Sequence, residues 1–260
     1  MALLEVSDLS KTFGGVLAVQ NISFSVDAGI VYSVIGPNGA GKTTLFNLIT
    51  GVYKPNCGEI RLDGEQVTGR APHELARKGV ARTFQNLQIC MNMTAIENVM
   101  VGGHLSLDRN LIKGMLRFPP LRRADAVLRE RAAELMAYVG LDAYRGAEAS
   151  AMPYGALKRL EIARALAARP RILFLDEPAA GFNPMETSEI DGLVRKIADS
   201  GITVVLVEHD MKMVMNISDR ILALNYGKKV TEGTPAEVCQ NEQVIKSYLG
   251  EKYAAARRSG

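Results

Sequence analysis

Short apolar runs set the pattern of the first third of the chain. Ile30 to Ile35 is β-branched and apolar, which predicts a buried strand, and Thr44 to Ile49 reads as the first turns of a helix. Leu3 to Leu9 and Gly15 to Val26 read as further β structure, and Asp63-Gly64 after Leu62 predicts a tight hairpin. Up to about Gln85 the pattern predicts strands and a single helix. Near Met91 it turns helical. Thr94 to Val101 predicts a helix with Thr94 as N-cap and Glu97 three residues on, and Arg123 to Gly140 predicts a second, ended by glycine. Between them Pro119 and Pro120 break the pattern. Ile172 to Leu175 and Ile202 to Val207 are two more buried strands, each followed by a helical stretch. Strand–helix alternation predicts a mostly parallel sheet covered on both faces, with ligands at the carboxyl ends of its strands. No internal repeat is present, and the tail from Ala254 to Gly260 is expected to fray.

The turn between the first buried strand and its helix carries the chemistry. Gly36-Pro37-Asn38-Gly39-Ala40-Gly41-Lys42-Thr43-Thr44 fits the phosphate-binding pattern G-x-x-x-x-G-K-[S/T]. A strand passing through a glycine-rich turn into a helix N-terminus aims backbone N–H groups at one point, where the helix dipole adds positive charge. Lys42 supplies a point charge for the outer phosphates, and Thr43 a hydroxyl for Mg²⁺. Asp176, at the end of an apolar strand, suits a carboxylate that holds Mg²⁺ beside Thr43, and Glu177 is placed to polarise an attacking water. The loop by itself identifies neither the nucleotide nor what its hydrolysis drives.

Composition adds bounds. The chain has 260 residues, 47% hydrophobic and 23% charged, with net charge +3, the profile of a globular protein and too weakly basic to imply nucleic acid. No apolar run approaches the roughly 18–20 residues that span a bilayer, and Met1 to Asp8 lacks a signal peptide's layout. A cytoplasmic location follows as an expectation. Cys57, Cys90 and Cys239 are scattered and odd in number, against a disulfide framework. His73, His104 and His209 show no metal spacing.

A further set of segments falls in a fixed order around the loop. Met152 to Leu166 (Met-Pro-Tyr-Gly-Ala-Leu-Lys-Arg-Leu-Glu-Ile-Ala-Arg-Ala-Leu) precedes Asp176, Gln85 follows Arg82-Thr83-Phe84, and His209 follows Val207-Glu208. Together these resemble the ATP-binding subunits of ABC transporters over essentially the whole chain. The resemblance implies an α/β fold: a P-loop NTPase (RecA-like) core with an antiparallel β subdomain and an inserted helical subdomain. Residues 1–90 and 168–250 would form the β subdomain and core, 91–167 the helical subdomain and 251–260 a tail. It implies ATP and Mg²⁺ as ligands, with Glu177, His209 and Gln85 catalytic. Phe13 stacks on adenine, Gly36 to Thr44 and Asp176 bind the nucleotide, and Thr43, Gln85 and Asp176 serve the metal. Ala180 to Pro184 takes the D-loop position. Pro153, Tyr154, Gly155 and Ala156 form the signature, which in this family faces the ATP of a second subunit.

Within the family the chain looks most similar to branched-chain amino-acid importers of bacteria. Pro-Tyr-Gly in the signature, Leu-Glu-Ile-Ala-Arg after it, Glu-Pro-Ala-Ala-Gly-Phe-Asn-Pro after the second buried strand, and the insertion from Gly102 to Arg123 carry this. Importers of urea or short amides share much of it, and soluble ABC ATPases acting on DNA or ribosomes are a second class. A P-loop kinase leaves the signature and His209 unexplained. The usual signature is Leu-Ser-Gly-Gly-Gln, and only Gly155 is kept here. Pro153 offers neither hydroxyl nor N–H, so the site completed by this signature is expected to be weak, which favours a heterodimer of unequal sites over a homodimer with two weak ones. The expected partners are a second ABC ATPase, two membrane permeases and, indirectly, a periplasmic binding protein, with no nucleic acid. The expected place is the cytoplasmic face of the bacterial inner membrane. Arg109, Lys113, Arg117, Arg122, Arg123, Arg129 and Arg131 outnumber Asp108, Asp125 and Glu130 in the insertion, either as a solvated face or as a lipid-facing one. Met91, Met93 and Met100 lie where the family docks a membrane partner, and either docking or core filling suits methionine.

Overall fold

The computed structural model describes residues 2–106 and 119–246. Contacts divide the chain into two units, Met1–Leu75 with Phe174–Gly260, and Ala76–Leu173.

In the first unit, β1 (Ala2–Phe13) and β2 (Val16–Asp27) form a long antiparallel hairpin, and β4 (Cys57–Leu62) and β5 (Glu65–Gln66) extend it in the order β2-β1-β4-β5. Asp63 and Gly64 turn this last hairpin with φ of 51° and 74°, the left-handed pair such a turn needs. The second sheet runs β10-β9-β3-β8-β7-β6. Its centre is β3 (Val31–Ile35), β7 (Ile172–Asp176) and β8 (Thr203–Val207), every residue of which is buried. β3 pairs in parallel with both β8 and β9 (Arg220–Asn225), and β10 (Lys228–Gly233) returns antiparallel at the edge. β6 (Val80–Arg82) belongs to the second unit, where the Gly79 carbonyl accepts the N–H groups of both Arg171 and Ile172.

Helices cover these strands. α1 (Lys42–Ile49) buries Leu45, Phe46, Leu48 and Ile49, with Phe46 edge-on to Phe174 at 5.2 Å. α2 (Pro72–Arg77) is a short helix in the region read as strands. It is built from terminal signals rather than periodicity: Pro72 opens it, Glu74 lies in its first turn and Arg77 in its last. In the second unit α3 (Ala95–Gly102), α4 (Pro119–Tyr138) and α5 (Tyr154–Ala167) pack on one another. The Thr94–Glu97 capping box forms as expected. Pro119 and Pro120 open α4 rather than break it, because the first helical turn needs no N–H from them.

α6 (Pro184–Asp199), α7 (Met211–Ile217) and α8 (Pro235–Gln240) complete the first unit. Asn183 caps α6, accepting the N–H groups of Met185 at 2.9 Å and Glu186 at 3.0 Å. Asn183→Ala is expected to cost about 1 kcal/mol and to lower the thermal midpoint by about 2–4 °C, read from a melting curve. The stretch 107–118, which holds Asp108, Arg109, Lys113 and Arg117, and the tail from residue 247 lie outside the described residues. Among the described residues no helix is long and apolar enough to cross a membrane.

Candidate functional site

The loop from Gly36 to Thr44 is shaped by backbone far away in sequence. A Cβ on Gly36 would stand 2.4 Å from the Leu224 carbonyl oxygen, and one on Gly41 2.6 Å from the Ala18 oxygen. Gly227, in the β9–β10 turn, donates its N–H to the Ala40 carbonyl at 3.0 Å and accepts from Gln20 at 2.7 Å. Gly41, with φ of 100°, precedes α1, and neither a side-chain cap nor an acidic residue occupies that first turn. The N-terminal N–H groups of α1 are thus presented to an anion. Lys42 is 8% exposed and donates to the Gly36 carbonyl at 2.6 Å and the Pro37 carbonyl at 3.1 Å, so its charge lies along the loop. Asn38, Gly39 and Thr43 are exposed, Pro37 and Thr44 are half-buried, and Ala40 is buried.

β3, β8 and β7 are neighbours, so their carboxyl ends bring this loop, Asp176-Glu177 and Glu208-His209 to one edge. Asp176 is buried at the end of β7. Glu177 adopts φ of 49°, a left-handed conformation that costs a residue with a Cβ. Its N–H donates to the Val207 carbonyl at 3.0 Å. Glu177 Oε1 is 3.8 Å from His209 Nδ1, within ion-pair reach and beyond a hydrogen bond. The His209 side chain is 61% exposed, open to a ligand. Sequence reasoning missed Glu208. It is buried, accepts the N–H groups of Ala179 and His209, and burial pushes its carboxyl above its ordinary range. The only signal was a charge placed directly after the apolar run of β8.

Phe13 ends β1 and is 40% exposed. Tyr53 meets it edge-on at 5.2 Å, and the Lys11 ammonium lies 5.1 Å from its centroid. Asn56 Oδ1 accepts the Thr12 N–H at 2.9 Å, and Lys11 donates to the Lys54 carbonyl at 2.7 Å. The segment after α1 therefore holds the tip of the β1–β2 hairpin. Tyr53 carried no signal in the sequence, since nothing local relates it to Phe13.

Gln85 and the Pro153–Ala156 segment belong to the second unit. Gln85 is exposed. The backbone around it is gripped by α5: Lys158 donates to the Gln85 carbonyl at 3.2 Å, and Glu161 Oε1 accepts from Phe84 and Gln88, each at 3.4 Å. Lys158 and Glu161 are buried, one turn apart on the helix that Pro153 begins. Asn98, fully buried, pins the following stretch by exchanging hydrogen bonds with Cys90 and reaching the Thr94 carbonyl. Pro153 and Tyr154 are exposed, with Lys158 5.8 Å from the Tyr154 ring centroid, whereas Ala156 and Leu157 are buried. The outward face of the segment is therefore set by Pro153, Tyr154 and Gly155. Phe84, Met91 and Val101 are exposed apolar residues of this unit, and Met93 and Met100 are half-buried.

Burial raises the Glu161 carboxyl above its ordinary 4.5, outweighing the N–H groups of Phe84 and Gln88 and the charges of Lys158 and Arg164. A raised carboxyl favours the folded state most below the unfolded value, and that contribution is lost as pH rises through the folded one. Glutamine keeps the single accepting oxygen and does not titrate. The midpoint of Glu161→Gln minus that of wild type is therefore expected to increase from about pH 5 to about pH 8. A flat difference across that range in thermal melts would contradict the burial argument.

Comparison with known proteins gives a consistent picture. Residues 19–180 match the ABC transporter family model, and residues 228–254 match that of the branched-chain amino acid ATP-binding cassette transporter. The chain is 48% identical over 250 residues to the high-affinity branched-chain amino acid transport ATP-binding protein BraF of Pseudomonas aeruginosa. That alignment covers 96% of this chain and 98% of BraF. It is 46% identical, with the same coverage, to LivG of Escherichia coli, which bears the same description. Among solved structures it resembles the ADP conformation of an ATP-binding cassette of an ABC transporter, with a TM-score of 0.83 and 30% identity over 96% of this chain and 99% of that one. A dimeric post-hydrolysis cassette bound to ADP and Pi gives 0.75 and 26% over 89% and 98%.

Proposed function

The chain belongs to the ABC transporter ATP-binding family, whose activity is ATP hydrolysis, and from that premise we propose that it is one of two ATPase subunits powering a bacterial importer of branched-chain amino acids. The observation that carries the solute class is the match at residues 228–254, joined to full-length similarity to BraF and LivG. Membrane permeases are its partners as a transporter subunit. The Phe84, Met91 and Val101 surface of the second unit is proposed as the place where one of them docks, which makes the association with the membrane peripheral and places it at the inner face.

In this reading ATP lies with its phosphates on the N–H groups from Gly36 to Thr44 and its base on Phe13. Lys42 exchanges its loop carbonyls for phosphate oxygens. Mg²⁺ is commonly held by one or two protein oxygens together with substrate phosphates, and the exposed Thr43 hydroxyl and the Asp176 carboxylate are a donor set of that kind. The metal would neutralise charge developing on the phosphates. Glu177 orients and deprotonates the attacking water, and His209 meets the outer phosphate. Pro153 to Ala156 face the ATP of the second subunit, where a proline in place of a serine removes both the hydroxyl and the backbone N–H. We therefore infer a heterodimer of unequal sites, fed by a periplasmic binding protein.

The test is uptake in a deletion strain supplied with leucine, isoleucine, valine, urea or acetamide. Branched-chain uptake should fall, return with the wild-type gene and fail to return with Lys42→Ala. Loss confined to urea or acetamide would move the solute class. Purification in mild detergent without any membrane protein would instead favour a soluble ABC ATPase.

A further inference from the structure

We propose that Glu208 is a positioning residue for ATP hydrolysis: its buried carboxyl ties the loop after β7 to the loop after β8 and so fixes Glu177 relative to His209. The inference rests on the roles proposed above for those two residues. Glu208 is 1% exposed. Its two oxygens are used separately, Oε1 accepting the Ala179 N–H at 3.1 Å and Oε2 the His209 N–H at 3.2 Å. A buried carboxyl is costly unless its hydrogen bonds are made, and an apolar side chain would fill the same space more cheaply. What the carboxyl adds is a connection between two backbones, 29 residues apart in sequence, that flank the reacting groups.

The connection acts on a strained turn. Glu177 is held at φ of 49° by its N–H bond to the Val207 carbonyl on one side. On the other, the Ala180 N–H closes onto the Glu177 carbonyl at 3.2 Å, and Ala179 is tied to Glu208. Both of these attachments outside the turn are to the end of β8. Removing the Glu208 acceptor leaves the Ala179 N–H without its partner and frees the turn to relax toward an ordinary conformation. Glu177 Oε1, now 3.8 Å from His209 Nδ1, would then drift from the position that both residues share. Displacements of about 1 Å at a reacting group cost about a hundredfold in rate.

Glutamine discriminates here because it has one carbonyl oxygen where two N–H groups each need an oxygen of their own, and its NH₂ would face a donor. This contrasts with Glu161, whose two N–H partners share Oε1. ATP turnover, KM for ATP and the thermal midpoint are to be measured on the full chain in its assembled transporter for Glu208→Gln, Glu208→Ala, Glu177→Gln and the double variant Glu177→Gln/Glu208→Gln. The expected result is a fall in kcat of about ten- to a hundredfold for both Glu208 variants with KM for ATP unchanged, while the melting midpoint of Glu208→Gln falls because a buried N–H loses its acceptor. Glu208→Gln should add no further loss in the Glu177→Gln background, because it acts through that residue. Wild-type turnover in Glu208→Gln while Glu177→Gln is inactive would overturn this inference alone. So would a fall in kcat that always accompanies a raised KM for ATP. Full turnover in Glu177→Gln would remove the functional reading beneath it.

Discussion

Replacing Glu177 with glutamine is expected to lower ATP turnover by about 10²–10⁴-fold while ATP still binds. The variant keeps the size of the side chain and the left-handed backbone at φ of 49°, and it loses only the capacity to take a proton. The nucleotide contacts proposed for Gly36 to Thr44, Lys42 among them, are untouched, so affinity is expected to be unchanged. Phosphate release and equilibrium nucleotide binding, measured on the same assembled complex, separate the two effects. The equivalent change in the partner subunit is expected to cost less. In the proposed heterodimer that subunit's ATP would face Pro153 of this chain, which offers neither the hydroxyl nor the N–H of the usual serine, whereas the ATP on this chain's own loop would face the partner's signature. Equal losses from the two changes would mean two equivalent sites and would sink the unequal heterodimer.

Gly41→Ala is the second large effect, and it acts on folding and binding together. The residue sits at φ of 100°, and a Cβ there would lie 2.6 Å from the Ala18 carbonyl oxygen, a backbone atom that cannot rotate away. The left-handed conformation costs about 1–2 kcal/mol and the overlap about 1–3 kcal/mol more. A loss of about 2–5 kcal/mol, with nucleotide affinity lost because the N-terminus of α1 is displaced, is the expected outcome of melts and nucleotide titrations. Gly39→Ala is the control. Its φ is 80° but nothing lies within 4 Å of its Cβ position, so only the conformational part should appear. Equal costs at the two positions would show that the approach of Ala18 is not what demands glycine at Gly41.

These two experiments probe different depths of the sequence's information. The P-loop strand, its turn and the helix after it were legible because each is specified by neighbours: β-branched residues, then glycines, then helix formers. The Thr94–Glu97 capping box and the Asp63-Gly64 hairpin are of the same kind, since the groups that meet are three residues apart or fewer. The order of Gln85, the signature segment, Asp176-Glu177 and His209 added the family. The short helix α2 escaped because six residues leave too little period to register. Pro119 and Pro120 were misread because proline breaks a helix in its interior and starts one at its first turn, and the same residues carry both signals.

The remaining features arise from contacts across long sequence distances. Leu224 and Gly227 close on Gly36 and Ala40 only because β9 pairs with β3 in the sheet. Tyr53 reaches Phe13 only because the segment after α1 folds back on the β1–β2 hairpin. Lys158 and Glu161 look like solvent-facing charges of an amphipathic helix until the backbone at Phe84 to Gln88 supplies their partners.

By itself the sequence determined the kind of molecule: a P-loop ATPase of the ABC family, with the loop, the Asp176-Glu177 pair and His209 each at the carboxyl end of a strand. Local periodicity and turn chemistry suffice for the loop and the strand ends, because they act through residues adjacent along the chain, and the resemblance of the ordered motifs supplied the family. Only the tertiary structure decided how these groups are held. Which buried carboxyl serves two N–H groups, which carbonyl forbids a Cβ and which signature residues face outward depend on strand order and on where buried polar atoms find partners, and neither is written in any short window of residues.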